Sequence, residues 1–205
     1  MNYFIAHRGV HNKNIKENCL EAFWAAIDSD LWDGFECDIR TSLDGVFLIC
    51  HNHFEGTSII SKTKYSKLKK KYGLVSLESV LNLNSPKIFL LEIKESNLDL
   101  DMFREVLEKH KDKNIYVMSF SKKVILNLRN KGVKFKLGVL NYVFNSDEDY
   151  SCYDFICLLE SVASTRLISY FHERGIEVFL YGVHHLEKTT RKYDNIYIIS
   201  DKNVL

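Results

Sequence analysis

The chain predicts a small (β/α)8 barrel, a TIM barrel of the α/β class, and three observations carry that reading. Eight short β-rich runs recur along it, segments with helical periodicity separate most of them, and ionisable residues close the first runs. Strands covered on both faces read as near-continuous apolar runs, which suits a parallel sheet wrapped by helices. At 205 residues the chain sits near the ~200-residue lower edge of this fold, so one domain spanning 1–205 is expected.

Taken in order, Tyr3–His7 is the first strand and Glu17 to Asp30 carries the first helical signal. Phe35–Ile39 is the second strand. The next run, Val46 to His51, follows too closely for a crossover helix, so it is read as the return arm of a β-hairpin. Asp44-Gly45 suits a two-residue type I′ turn, and pairing Leu43 with Val46 sets His51 opposite Asp38. Residues 53–73 form a short polar insertion, at about 52–74 with its edges, holding Lys62, Lys64, Lys67, Lys69, Lys70 and Lys71. These lysines read first as a solvated helix face, with a substrate-attracting rim or contact to an anionic surface as the lesser readings. A small helical signal at Leu77 to Leu81 precedes the third barrel strand, Ile88–Lys94.

The remaining strands are Ile115–Phe120, Phe135–Leu140, Asp154–Leu159, Glu177–Val183 and Ile196–Ser200. Leu98 to His110, Lys122 to Lys131 and Ser164 to Arg174 read as helices, the last stopped by Gly175. No repeat or low-complexity tract interrupts the series, and the single proline, Pro86, falls just before the third strand.

Composition narrows the function classes. The chain is 46% hydrophobic and 27% charged, with a formal net charge of +1, so no strong global field draws it to nucleic acid or to an anionic membrane. Any anion recognition is local. The five cysteines Cys19, Cys37, Cys50, Cys152 and Cys157 are odd in number and lack a C-x-x-C pair, so they read as reduced core residues. With no basic leader and no uncharged run of ~18 residues, a cytoplasmic protein without a membrane span is expected.

In a (β/α)8 barrel the strand ends converge on one mouth. His7 and Arg8, then Glu36 and Asp38, then Glu92 and Lys94 end the first three strands, and His51 ends the hairpin. Strand alternation places Glu36 and Asp38 on one face and Glu92 and Lys94 on one face. Three carboxylates suit a hard divalent cation, Mg2+ or Ca2+. Two histidines suit a proton acceptor and a proton donor near neutral pH, with either assignment open. Arg8 and Lys94 suit a phosphate. A lone strand-end histidine is more often structural, and the weight here comes from joint placement. His53, His110, His172, His184 and His185 lack such company, and His11, in the loop after the first strand, reads first as an exposed loop residue and second as a residue lining the mouth.

These residues, in this order, resemble the glycerophosphodiester phosphodiesterase family, whose barrel is of the phospholipase C-like type. The resemblance rests on His7-Arg8-Gly9, Glu17-Asn18, Phe35-Glu36-Cys37-Asp38-Ile39, Leu43-Asp44-Gly45-Val46 and Ile49-Cys50-His51. Val75-Ser76-Leu77-Glu78-Ser79-Val80-Leu81, Leu91-Glu92-Ile93-Lys94, Ser119-Phe120, Tyr181-Gly182-Val183 and Ile199-Ser200-Asp201 complete it. It implies His7 and His51 as the acid/base pair, and Glu36, Asp38 and Glu92 as ligands of Mg2+ or Ca2+. It implies Arg8, Lys94 and Tyr181 as substrate and phosphate contacts. The chain departs from the family pattern at Asn52, where Asp is usual, in the shortness of residues 53–73, at Gly182-Val183-His184 and at Ser200-Asp201.

The implied activity is metal-dependent hydrolysis of a small-molecule or lipid-derived glycerol phosphodiester to an alcohol and glycerol 3-phosphate. The alternatives are a phospholipase D-like lyase that stops at a cyclic phosphate and a non-catalytic phosphodiester-binding barrel. Substrate alcohol and oligomeric state are not set by the sequence.

Overall fold

The computed structural model describes residues 1–202, so the last three positions of the expected domain lie outside the described residues. The eight parallel strands are β1 (Tyr3–Ala6), β2 (Gly34–Thr41), β6 (Ile88–Ile93), β7 (Asn114–Ser119), β8 (Lys136–Asn141), β9 (Phe155–Leu159), β10 (Glu177–Tyr181) and β11 (Tyr197–Ser200). They pair in sequence order, and β1 bonds both β11 and β2, which closes the ring. The barrel expected from the sequence is therefore present.

Alternation divides each strand between two cores. On β2, Phe35, Cys37 and Ile39 point outward into the layer shared with the helices, which leaves Glu36, Asp38 and Arg40 on the inner face. Inside the barrel, Phe155 packs on Phe179 at a centroid distance of 4.8 Å, and Phe179 stacks on Tyr197 at 4.2 Å. These aromatics lie at or near strand starts. They plug that end of the barrel and leave the ionisable groups at the other.

The outer helices form where an apolar stripe and a cap coincide. In α4 (Leu100–Glu108) Asp99 accepts from the backbone N–H groups of Asp101 and Met102, and Phe103 and Leu107 are buried one turn apart. In α6 (Thr165–His172) Ser164 accepts from Leu167 N–H, and Ile168 and Phe171 are buried. The first helix, α1 (Leu20–Asp28), starts later than the sequence suggests. Asn18 is held at φ 56°, so the helix cannot include it. The third expected helix is α5 (Lys122–Asn130).

Between β2 and β6 the chain adds β3 (Phe47–Ile49), antiparallel to β2 and outside the ring, and then a small hairpin of β4 (Phe54–Glu55) with β5 (Ser58–Ile59). A 3-10 turn at Ile60–Lys62, α2 (Tyr65–Tyr72) and α3 (Leu77–Leu81) follow. A last helix, α7 (Leu186–Lys192), joins β10 to β11, whereas residues 142–154 between β8 and β9 contain no helix.

The β2–β3 hairpin corrects the expected register by one residue. Ile39 faces Ile49 and Thr41 faces Phe47, and Cys50 N–H donates to the Asp38 carbonyl at 2.9 Å. Cys50, not His51, is therefore the neighbour of Asp38. The turn is a three-residue loop, with Ser42 N–H donating to the Val46 carbonyl at 3.0 Å and Gly45 at φ 79°. Asp44 fixes this choice, because its Oδ1 accepts from Ser42 Oγ at 2.8 Å and from Tyr65 N–H at 2.8 Å. That second bond comes from far along the chain and leaves no local trace.

Candidate active site

The mouth is built from the turn after β1 inward. Arg8 and Gly9 take left-handed backbone, at φ 54° and 78°. A Cβ on Gly9 would stand 2.7 Å from the Ala22 backbone, so this position tolerates only glycine. Asn18 locks the turn by donating its N–H to the Arg8 carbonyl at 2.9 Å, while its side-chain amide donates to Asp38 Oδ2 at 2.9 Å. The strained Arg8 and Asn18 thereby hold one carboxylate between them.

Glu36, Asp38 and Glu92 converge as the sequence predicts. Each offers an oxygen within 4.8 Å of the others, and all three are buried. Arg8 N–H donates to Glu36 Oε2 at 3.0 Å. Lys94 Nζ lies 2.6 Å from Glu92 Oε1 and 3.4 Å from Asp38 Oδ1, and Arg8 Nε lies 3.2 Å from Asp38 Oδ2. Glu36 Oε1 and Asp38 Oδ1 are nevertheless buried without a hydrogen-bond partner among the described residues. Burial and the neighbouring Asp38 and Glu92 push the Glu36 carboxyl well above its ordinary pKa. Burial also raises Glu92, with Lys94 opposing. For Lys94 and Arg8, burial works against the charge, but the surrounding carboxylates outweigh it and both pKa values rise. Two cations face three carboxylates, and buried oxygens left unsatisfied are costly. An all-oxygen donor set of this kind fits a divalent cation.

The two histidines flank the cluster by different means. His7 Nδ1 lies 2.7 Å from Asp201 Oδ1, and its Nε2 lies 4.0 Å from Glu36 Oε2. A carboxylate on Nδ1 favours the tautomer whose Nε2 is a free acceptor aimed inward. His51 Nδ1 bonds the Asn52 amide oxygen at 3.1 Å. Burial lowers the His51 pKa, with Arg8 and Lys94 adding to that effect and Asp38 opposing it.

Arg40 holds His51 in place and carries no signal in the sequence beyond its even spacing from Glu36 and Asp38. It is only 3% exposed. Its Nε and Nη2 donate to the His51 carbonyl at 3.0 and 2.8 Å, Nη1 donates to His53 Nδ1 at 3.0 Å, and Glu95 Oε1 lies 3.6 Å away. The ladder ends at Ile49, and this clamp takes over where it ends.

The expected contact Tyr181 falls at the rim, together with His184, which the sequence does not single out. Tyr181 and His184 line a cleft of about 430 Å³ with His7 and Asp201, and burial raises the Tyr181 pKa. Tyr181 also meets the stacked Phe120–Tyr142 pair edge-on, with centroids 6.4 Å away. His11, expected first as an exposed loop residue, is partly buried instead. Its Nδ1 donates to the Gly9 carbonyl at 3.0 Å, and Nε2 lies 3.8 Å from Asp201. A larger hollow of about 550 Å³ beside Lys136 and Arg174 opens at the strand starts, away from the carboxylates. All five cysteines are free thiols, and no described helix is long and apolar enough to cross a membrane.

No family model matches the chain, and no curated protein matches it. Solved structures do. A phosphodiesterase from Oleispira antarctica in complex with the product sn-glycerol-3-phosphate aligns with TM-score 0.83 at 19% identity, over 97% of this chain and 92% of that one. A glycerophosphodiester phosphodiesterase from Thermotoga maritima aligns with TM-score 0.76 at 23% identity, over 98% and 95%. One from Parabacteroides distasonis aligns with TM-score 0.79 at 17% identity, over 98% and 92%. With identities this low the likeness is one of architecture: the chain has the closed barrel found in solved glycerophosphodiester phosphodiesterases.

Proposed function

We propose that the protein is a divalent-cation-dependent phosphoric diester hydrolase acting on a glycerol phosphodiester. The observation that carries this reading is the buried trio Glu36, Asp38 and Glu92, two of whose oxygens lack a hydrogen-bond partner, set between two histidines and two cations. The solved barrels of like shape, one holding glycerol 3-phosphate, support the substrate class.

Glu36, Asp38 and Glu92 would hold the cation, Mg2+ or Ca2+, which when bound supplies Lewis-acid polarisation of a phosphoryl oxygen. His7, with Nδ1 anchored on Asp201, takes a proton at Nε2 from the attacking hydroxyl. That hydroxyl is the substrate's own, next to the phosphate. His51 gives a proton to the leaving alkoxide, and water then opens the resulting cyclic phosphate with the two histidines in reversed roles, leaving glycerol 3-phosphate. Arg40 positions His51 through its carbonyl. Arg8 and Lys94 offset the carboxylates and present positive charge to the phosphate, while Tyr181, beside Phe120 and Tyr142, walls the side where the substrate's organic part lies.

A panel of glycerol phosphodiesters, followed by phosphorus NMR with and without Mg2+ or Ca2+, tests this. Glycerol 3-phosphate as final product is expected, and a cyclic phosphate that accumulates without opening would mean a lyase instead. His7→Ala and His51→Ala should each lower kcat by ~10²–10⁴. Cation binding with no turnover on any diester would overturn the enzymatic reading in favour of a binding barrel.

A further inference from the structure

Exposed apolar side chains gather at the mouth of this barrel. Ten large hydrophobic residues are exposed among the described residues, and six of them follow the C-terminal ends of barrel strands or sit on the insertion there. They are Leu43 (58% exposed), Phe54 (58%), Ile59 (47%), Phe120 (37%), Tyr142 (62%) and Val143 (69%). Phe54 and Ile59 are cross-strand partners in the β4–β5 hairpin and so share a face. The Glu55–Lys16 ion pair at 2.6 Å pins that hairpin to the loop between β1 and α1, on the same end of the barrel as the carboxylates.

Charge gathers at one side of the same rim. Lys62, Lys64, Lys67, Lys69, Lys70 and Lys71 are all exposed, and residues 53–73 hold only one acidic residue, Glu55. In a chain of net charge +1 this is a strong local concentration. Leu68 alone is buried on α2, and Lys71 donates to Thr57 at the hairpin tip at 3.1 Å, so the basic helix abuts the hairpin carrying Phe54 and Ile59. Asp44 stands beside the start of the basic helix, accepting from Tyr65 N–H at 2.8 Å, and the acidic run Asp147 to Asp149 lies on the loop after β8, with Glu148 paired to Lys122.

We propose that this rim docks the barrel mouth onto an anionic lipid surface, with the lysines at the headgroups and Phe54, Ile59 and Leu43 entering the interface. Clusters of several lysines are drawn to anionic leaflets, and aromatic and aliphatic tips beside them enter the acyl boundary. The apolar tips decide between occupants, because a soluble polyanion would need only the lysines. The docked mouth would receive a phosphodiester carried by the membrane itself. The docking claim does not depend on hydrolysis and has its own readout.

The test is co-sedimentation of the full chain with vesicles of phosphatidylcholine, alone or with about a third phosphatidylglycerol. Binding to the anionic vesicles only is expected, with loss in about 1 M salt, where the Debye length is ~3 Å. Two variants separate the contributions. Lys62→Gln/Lys67→Gln/Lys69→Gln/Lys70→Gln should weaken binding by roughly tenfold or more, and Phe54→Ser/Ile59→Ser should weaken it without changing its salt dependence. Both should keep wild-type thermal unfolding and wild-type turnover of any soluble diester the protein cleaves. Absence of binding to anionic vesicles overturns the proposal. So does retention on polyphosphate that the apolar variant leaves unchanged while vesicles bind no better than polyphosphate, the pattern of a polyanion site.

Discussion

Replacing Arg40 tests how the structure aims His51. The side chain is 3% exposed, donates twice to the His51 carbonyl at 3.0 and 2.8 Å and once to His53 at 3.0 Å, and faces Glu95 at 3.6 Å. Arg40→Leu keeps apolar bulk but removes all three bonds and leaves Glu95 without this partner. Hydrogen bonds to a charged group each contribute ~1.5–3 kcal/mol, though not additively, and breaking a buried pair costs ~3–5 kcal/mol. Taking ~3–5 kcal/mol as the total, at ~2–4 °C per kcal/mol for a chain of this size, Tm falls by about 6–20 °C. His51 then loses the bonds that fix its backbone, and a displacement of ~1 Å in a catalytic group costs ~10²-fold in rate. Thermal unfolding followed by calorimetry, with kcat measured well below the variant's Tm, reads both effects. Arg40→Lys retains the charge but not the fork, and should fall between Leu and wild type. A variant that loses stability yet turns over at the wild-type rate would show that the clamp supports the fold and does not aim His51. Wild-type values for both quantities would refute the argument altogether.

Two further outcomes follow from the carboxylates around the mouth. Burial raises the Glu36 pKa, so the folded chain holds that proton more tightly than the unfolded one. In chelator this contribution to stability is complete below the ordinary carboxyl pKa of ~4.3 and is lost as pH rises through the folded value. A divalent cation favours the ionised form, so its stabilisation should grow with pH and reach ~2.7 kcal/mol, or about 5–11 °C in Tm, at ~100 times Kd. Glu36→Gln should abolish that gain, and an undiminished gain in the variant would remove Glu36 from the cation site. Asp201→Asn should lower kcat by ~10–100-fold while shifting stability by no more than ~0.5 kcal/mol, since Asp201 lies at the exposed rim. Unchanged turnover would show that Asp201 does not set the His7 tautomer.

How much of this was legible in the sequence depends on what each feature rests upon. The eight strands read clearly because a barrel strand is covered on both sides, as in Ile88–Ile93, where every residue is buried. The helices α4, α5 and α6 read clearly because apolar stripes recur at helical spacing. The Lys-rich α2 and the short α7 do not, because each buries a single residue, Leu68 or Thr189, and so shows little periodicity. The carboxylate trio was legible from strand alternation together with the convergence of strand ends at a barrel mouth. The hairpin register was not, because Asp44-Gly45 fits a two-residue or a three-residue turn, and the choice is made by Tyr65 N–H. His51 still reaches the mouth, but through Arg40 and not through pairing with Asp38. The His7–Asp201 contact joins residues 194 positions apart, and Asn18 meets Asp38 only after the turn at Arg8 has formed. Such links live in the closed barrel, where no local pattern announces them.

The most direct measurement is turnover of a glycerol phosphodiester by protein stripped with chelator and then titrated with Mg2+ or Ca2+, beside the same titration of Glu92→Gln. The account predicts no turnover in chelator, recovery as the cation returns, and recovery in Glu92→Gln only at far higher cation or not at all. Full turnover in excess chelator, or identical titrations for both proteins, would contradict it.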